Sequence, residues 1–164
     1  LISFLKTFFQ AGQKLNPAYR AFLFLLSFDA LFKRQKFFSF LLKIILSTYR
    51  TTGDIPCSYR AAWLMARQMA GFSVDEDMNN LYEYFEEGVG FKVFKETKEP
   101  DLLSTAVAVF VLKRAGADLR LIAPDALQLV QQNYNSGAFL AGNGDAEKDL
   151  EYTFYGLLIL GLLS

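Results

Sequence analysis

One spacing constrains this chain more than any other property: a pattern of residues recurs after 48 positions. Gly88-Val89-Gly90-Phe91 precedes Asp101-Leu102-Leu103-Ser104-Thr105 and an apolar run to Leu112. Ser136-Gly137-Ala138-Phe139 precedes Asp149-Leu150-Glu151-Tyr152-Thr153 and an apolar run to Leu160. Five pairs share the offset of 48: Phe91 and Phe139, Asp101 and Asp149, Thr105 and Thr153, Leu112 and Leu160, Asp77 and Asp125. A recurrence of this length is read as a supersecondary unit that buries its apolar face only by stacking on its neighbours. A weaker copy places Asp54, Ser58 and Met65 at 47 residues before Asp101, Thr105 and Leu112. Tyr19-Arg20-Ala21 against Tyr59-Arg60-Ala61, at offset 40, marks a diverged fourth.

Each copy reads as two helices. The stretch Thr105 to Leu112 is apolar nearly all round, as is Phe154 to Leu163, and an all-round apolar helix is expected to be buried on every side. Asp75 to Glu87 and Pro124 to Tyr134 instead mix apolar and charged or polar residues, as a solvated outer helix does. Pro124 suits the first turn of its helix. The expected fold is therefore all-α: tandem helix hairpins in one domain over residues 1–164, with units at roughly 1–34, 35–71, 72–116 and 117–164. The loops 88–100 and 135–148 both precede an inner helix and would gather at one end of the stack, where sites tend to lie.

Composition enters as a set of exclusions. With 52% hydrophobic residues and 17 Phe the chain can fill a sizeable core, so disorder is not expected. Seventeen basic residues balance 17 acidic ones, which gives no electrostatic footprint for nucleic acid. Histidine is absent, so the chain by itself holds no Ser-His-Asp triad, Cys-His pair or His-containing metal site. The single cysteine, Cys57, excludes an internal disulfide framework. Charges at Lys6, Lys14, Arg20, Asp29, Lys33 and Lys43 interrupt the apolar N-terminal third, short of the roughly 18 to 20 uncharged residues a bilayer span needs. A cytoplasmic location is expected, and a membrane-surface role has no support beyond the apolar character. The start at Leu1 and the apolar end at Gly156 to Leu163 are read as marks of an incomplete chain, whose open ends missing repeats or a partner would cover.

The Gly-Phe boxes at Gly88 to Phe91 and Gly137 to Phe139, a variable loop, and an Asp-x-x-x-Thr opening an inner helix resemble the prenyltransferase and terpene-cyclase repeat superfamily, which forms an α/α toroid. The resemblance covers residues 54–164 and implies an arc of such a toroid acting on an apolar isoprenoid or its diphosphate. Zinc-dependent members carry Asp-x-Cys-Tyr-Ser and a distant His. Here Cys57 in Asp54-Ile55-Pro56-Cys57-Ser58 stands one place late, which turns a helical side chain by about 100°, and no His exists. Zinc is therefore not expected, while magnesium is compatible with a diphosphate ligand. The family's basic residues before the Asp correspond to Lys95 and Lys98 ahead of Asp101; its diphosphate Tyr and pocket Trp correspond to Ser104 and Val107 in that copy and to Tyr152 and Tyr155 in the last, so the resemblance splits the parts between two repeats.

Class II terpene cyclases use Asp-x-Asp-Asp-Thr, whose middle Asp protonates an alkene or epoxide. Asp149-Leu150-Glu151-Tyr152-Thr153 resembles it, with Glu151 at the acid position, Asp149 beside it, and Tyr152, Tyr155 and Phe139 as aromatic walls for a carbocation. The plainer reading of the recurring Asp is structural: it caps a helix, and the Thr bonds back to a carbonyl. Beside the enzyme stands a non-catalytic helical-repeat scaffold that binds a peptide or a lipid on its concave face. A glycan-active α/α barrel would need paired carboxylates across a cleft, for which Glu151 and Asp149 are the only hint.

Overall fold

A computed structural model describes residues 36–48, 53–140 and 150–164, together with Ser27. Asp149 and the N-terminal unit at 1–34 lie outside these, apart from Ser27. The described residues form α1 (Lys36–Thr48), α2 (Cys57–Ala70), α3 (Asp75–Tyr82), α4 (Leu102–Ala115), α5 (Ala123–Asn133) and α6 (Leu150–Leu163). The chain is predominantly helical, as its patterning predicts. Two small antiparallel hairpins were not foreseen: β1 (Phe85–Glu86) with β2 (Gly90–Phe91), and β3 (Tyr134–Asn135) with β4 (Ala138–Phe139). Ser136 and Gly137, with φ of 48° and 89°, make the second one turn within two residues, a left-handed geometry that Gly adopts freely.

Three 14-residue helices, α2, α4 and α6, stand side by side in a row that α1 extends beyond α2. They run in the same direction. At one end the Cys57 thiol lies 3.9 Å from the carbonyl of Ser104. At the other, the Gln68 amide donates to the carbonyl of Arg114 at 2.8 Å, and Lys113 donates to the carbonyl of Leu162. Gly71 and Gly116 close α2 and α4 with φ near +80°, each directing its N–H back to the last turn. The amphipathic α3 packs on α2, and α5 packs on α6.

Burial separates the two apolar helices that the sequence equates. On α4, Leu102, Ala106, Val107, Ala108, Val109, Val111 and Leu112 are all fully enclosed, because α2 lies on one side and α6 on the other. On α6 only Tyr155, Gly156 and Ile159 are buried. The expectation that both would be covered all round therefore holds for α4 and not for α6. Leu150, Phe154, Leu157 and Leu160 of α6 are exposed.

Candidate functional site

Asp101, Thr105 and Thr153 serve the joints between elements. Asp101 caps α4: its carboxylate accepts from the Ser104 N–H at 2.7 Å and from the Ser104 hydroxyl at 2.6 Å. It is buried, and burial raises its carboxyl above the ordinary 3.8, while the bonds from Ser104 and Leu103 pull the other way. Asp54 has no such duty, since α2 begins after Pro56 without a side-chain cap. Thr105 does not bond back within its own helix. Its hydroxyl oxygen accepts from the Phe91 N–H at 3.2 Å, tying α4 to the β1–β2 hairpin. Forty-eight residues on, the Phe139 N–H donates to the Thr153 hydroxyl at 3.3 Å, tying α6 to β3–β4.

Of the residues singled out for chemistry, four gather around the start of α6. The Tyr155 hydroxyl donates to the Glu151 carboxylate at 3.1 Å, so that carboxylate is engaged as an acceptor. The Tyr155 ring meets Tyr152 and Phe154 edge-on at centroid distances of 6.1 and 5.5 Å. Glu151 and Tyr152 are half-buried and Tyr155 is enclosed. Phe139 is buried beside them, its ring resting on Gly156. Asp149, the proposed neighbour of the acid, lies outside the described residues.

The two lysines belong elsewhere. Lys95 and Lys98 sit on the loop that leads from β2 into α4, the loop whose Val93 carbonyl receives the Cys57 N–H at 2.8 Å. Lys95 is bound to Glu83, which raises its pKa, and its ammonium lies 5.6 Å from the centroid of the Tyr84 ring. Lys98 is exposed. Cys57 is buried, and that burial, reinforced by the charge of Asp101, pushes its thiol pKa up strongly. A thiol so placed is a small core residue and not a thiolate ligand or nucleophile. Among the described residues no three acidic, cysteine or histidine side chains gather as a metal site would require.

A feature absent from the sequence reading is an open groove of about 530 Å³ at the α6 end of the row. Leu127, Val130 and Tyr134 line it from α5 and its hairpin, Phe139 forms its floor, and Leu157 and Leu160 rise from α6. One step back in the chain the corresponding space is occupied. There Asp125 at the start of α5 accepts from the Gly88 N–H at 2.9 Å, and a Cβ built at Gly90 would lie 3.6 Å from the Leu129 side chain. On α4, Val109 and Leu112, which stand 48 residues before Leu157 and Leu160, are fully buried. The signal lay in the sequence as the offset, but that offset shows equal residues and not which copy lacks a neighbour. No helix among the described residues is long and apolar enough to cross a membrane. No protein-family model, curated protein or solved structure matches the chain.

Proposed function

We propose that this chain is an arc of stacked helix pairs, of the α/α toroid kind, that acts as a binding scaffold and docks an apolar helix in the groove between α5 and α6. The observation that carries this reading is the contrast between two equivalent faces. The α4 face is filled by the next helix pair, and the α6 face, with the same residue pattern, is open. The matching Phe91–Thr105 and Phe139–Thr153 hydrogen bonds support the equivalence. A groove walled by Leu, Val and aromatic side chains suits the i, i+3, i+4, i+7 anchors of an amphipathic helix. The test is fluorescence anisotropy with a soluble helical peptide that carries Leu and Phe at that spacing on one face. Binding in the range of about 1–100 μM is expected, weakened at least tenfold by Leu157→Asp. Equal binding by that variant, or none by the parent chain, overturns the reading.

A second reading rests on the apolar lining and size of the same groove, with Glu151, Tyr152 and Tyr155 on α6 outside that lining: an isoprenoid-binding member of the prenyltransferase and terpene-cyclase kind. Isothermal titration with farnesyl diphosphate, with and without magnesium, separates it from the first. Heat that disappears in Leu157→Asp favours the isoprenoid, and absence of heat removes it.

A further inference from the structure

We infer that the α1 end of the row docks in the plane of an anionic lipid surface, a role separate from the groove on α6. The overall charge of zero conceals a segregation. Eight of the 17 basic residues lie in the first 50 positions, beside one of the 17 acidic ones, Asp29. Residues 1–50 therefore carry a net +7 and residues 51–164 the balancing −7. Ten of the 17 phenylalanines fall in the same 50 positions. A cationic stretch rich in large apolar side chains matches anionic headgroups laid over an acyl layer. Nucleic acid would use the same charge but gives no reason for so much Phe and Leu. The cations also fix the mode of binding. The longest uncharged run in these 50 residues is Ala21 to Phe28, far too short to span a bilayer, so the sequence allows binding along the surface and not across it.

Helix α1 supplies the geometry, because its two sides differ. On one, Leu46 is buried and Leu42 packs on the core. On the other, Phe40 and Ile44 stand one turn apart, 60% and 49% exposed, with Lys43 and Ser47 exposed beside them. The Lys43 ammonium reaches to 5.4 Å from the centroid of the Phe72 ring. An exposed aromatic and a branched apolar residue next to a lysine is the arrangement of an interfacial helix, whose apolar side chains enter the headgroup boundary while the ammonium meets phosphate. The position of α1 at one end of the row adds direction. An anionic surface attracts the basic part of the chain and repels the acidic remainder, so the protein approaches with α1 first and α6 held away from the lipid.

Co-sedimentation of the full chain with vesicles tests this, using phosphatidylcholine alone and with about one-third phosphatidylserine, at about 0.1 M salt. Binding at least tenfold tighter to the anionic vesicles is expected. It should fall at least tenfold in about 1 M salt, where the screening length shrinks to about 3 Å. Phe40→Asp combined with Ile44→Asp should weaken binding at least tenfold with an unchanged circular dichroism spectrum, because both sites are exposed. Leu121→Asp, at an 85% exposed position outside α1, should bind as the parent does. Equal binding to both kinds of vesicle, or to neither, overturns the inference, and this comparison needs no variant. A double variant that keeps its fold and binds like the parent overturns the placement on α1. Binding of polyuridylate in place of anionic vesicles overturns the inference in favour of nucleic acid. Self-association at low salt without vesicle binding overturns it in favour of pairing between the basic and acidic parts of two copies.

Discussion

Gly156 of α6 lies directly beneath the ring of Phe139: a Cβ built at this glycine would stand 2.6 Å from the ring's Cγ and 2.7 Å from both Cδ atoms. The hairpin that carries Phe139 can thus lie flat on the helix only because position 156 has no side chain. Gly156→Ala gains up to about 1 kcal/mol of helix propensity but must displace a buried ring, at a cost of about 1–3 kcal/mol. A net loss of stability is expected. Gly161→Ala meets open space and should raise stability by up to about 1 kcal/mol. Urea midpoints of the pair decide the matter, and a stabilised Gly156→Ala would show that the ring is not seated there.

Asp101 joins a cap to a titration. Replacing it with Ala leaves the Ser104 N–H without its acceptor in a buried site and should cost about 1–2 kcal/mol. Burial raises the Asp101 carboxyl above 3.8, so the folded chain holds this proton more tightly than the unfolded one. Its contribution is fully present below about pH 3.8 and is lost as pH rises through the folded value. Asp101→Asn keeps a capping oxygen but does not titrate. The stability of Asp101→Asn relative to the parent should therefore rise with pH from just below 4 and then level off. A difference that falls across this range would contradict the placement of the carboxyl.

Thr105 accepts from the Phe91 N–H and donates to the Phe91 carbonyl at 3.4 Å, and Thr153 accepts from the Phe139 N–H, so each ties a hairpin to its helix. Thr105→Val keeps the shape and removes the acceptor, leaving the buried Phe91 N–H unpaired at a cost of about 1–2 kcal/mol. Thr153 is less buried, so Thr153→Val should cost less. Amide exchange at Phe91 and Phe139 reads each bond directly, and faster exchange is expected only at the hairpin whose Thr has been changed.

Cys57 should be silent to thiol reagents in the native protein and react fully in denaturant, since burial both shields it and keeps it protonated. Stoichiometric labelling under native conditions would place the start of α2 at the surface.

The helices were legible because their evidence is local. The 3.6-residue periodicity, Pro124 in a first turn and Asp101 three residues ahead of its bonded N–H all act within one or two turns of chain. The hairpins were harder to see, since each strand has only two residues and the turn-forming Ser136 and Gly137 also fit an ordinary loop. For the candidate chemistry the sequence listed Lys95, Lys98, Glu151, Tyr152, Tyr155 and Phe139 side by side. The fold divides them between a loop near the start of α2 and the neighbourhood of α6, and gives Lys95 to Glu83 and Glu151 to Tyr155.

The offset of 48 residues that constrains the chain most says which positions are equivalent, and it does so without coordinates because equal residues recur at equal intervals. Equivalence in sequence is not equivalence in surroundings. Val109 and Leu157 are matched apolar residues on matched helices, yet the first is enclosed and the second is 58% exposed. Burial depends on what packs across a helix, and that is a property of neighbours distant in the chain. The sequence by itself determined a helical chain with two nearly all-apolar helices and the Asp101 cap of one of them. Only the tertiary structure decided which of these apolar helices is covered, and so where a binding surface can exist.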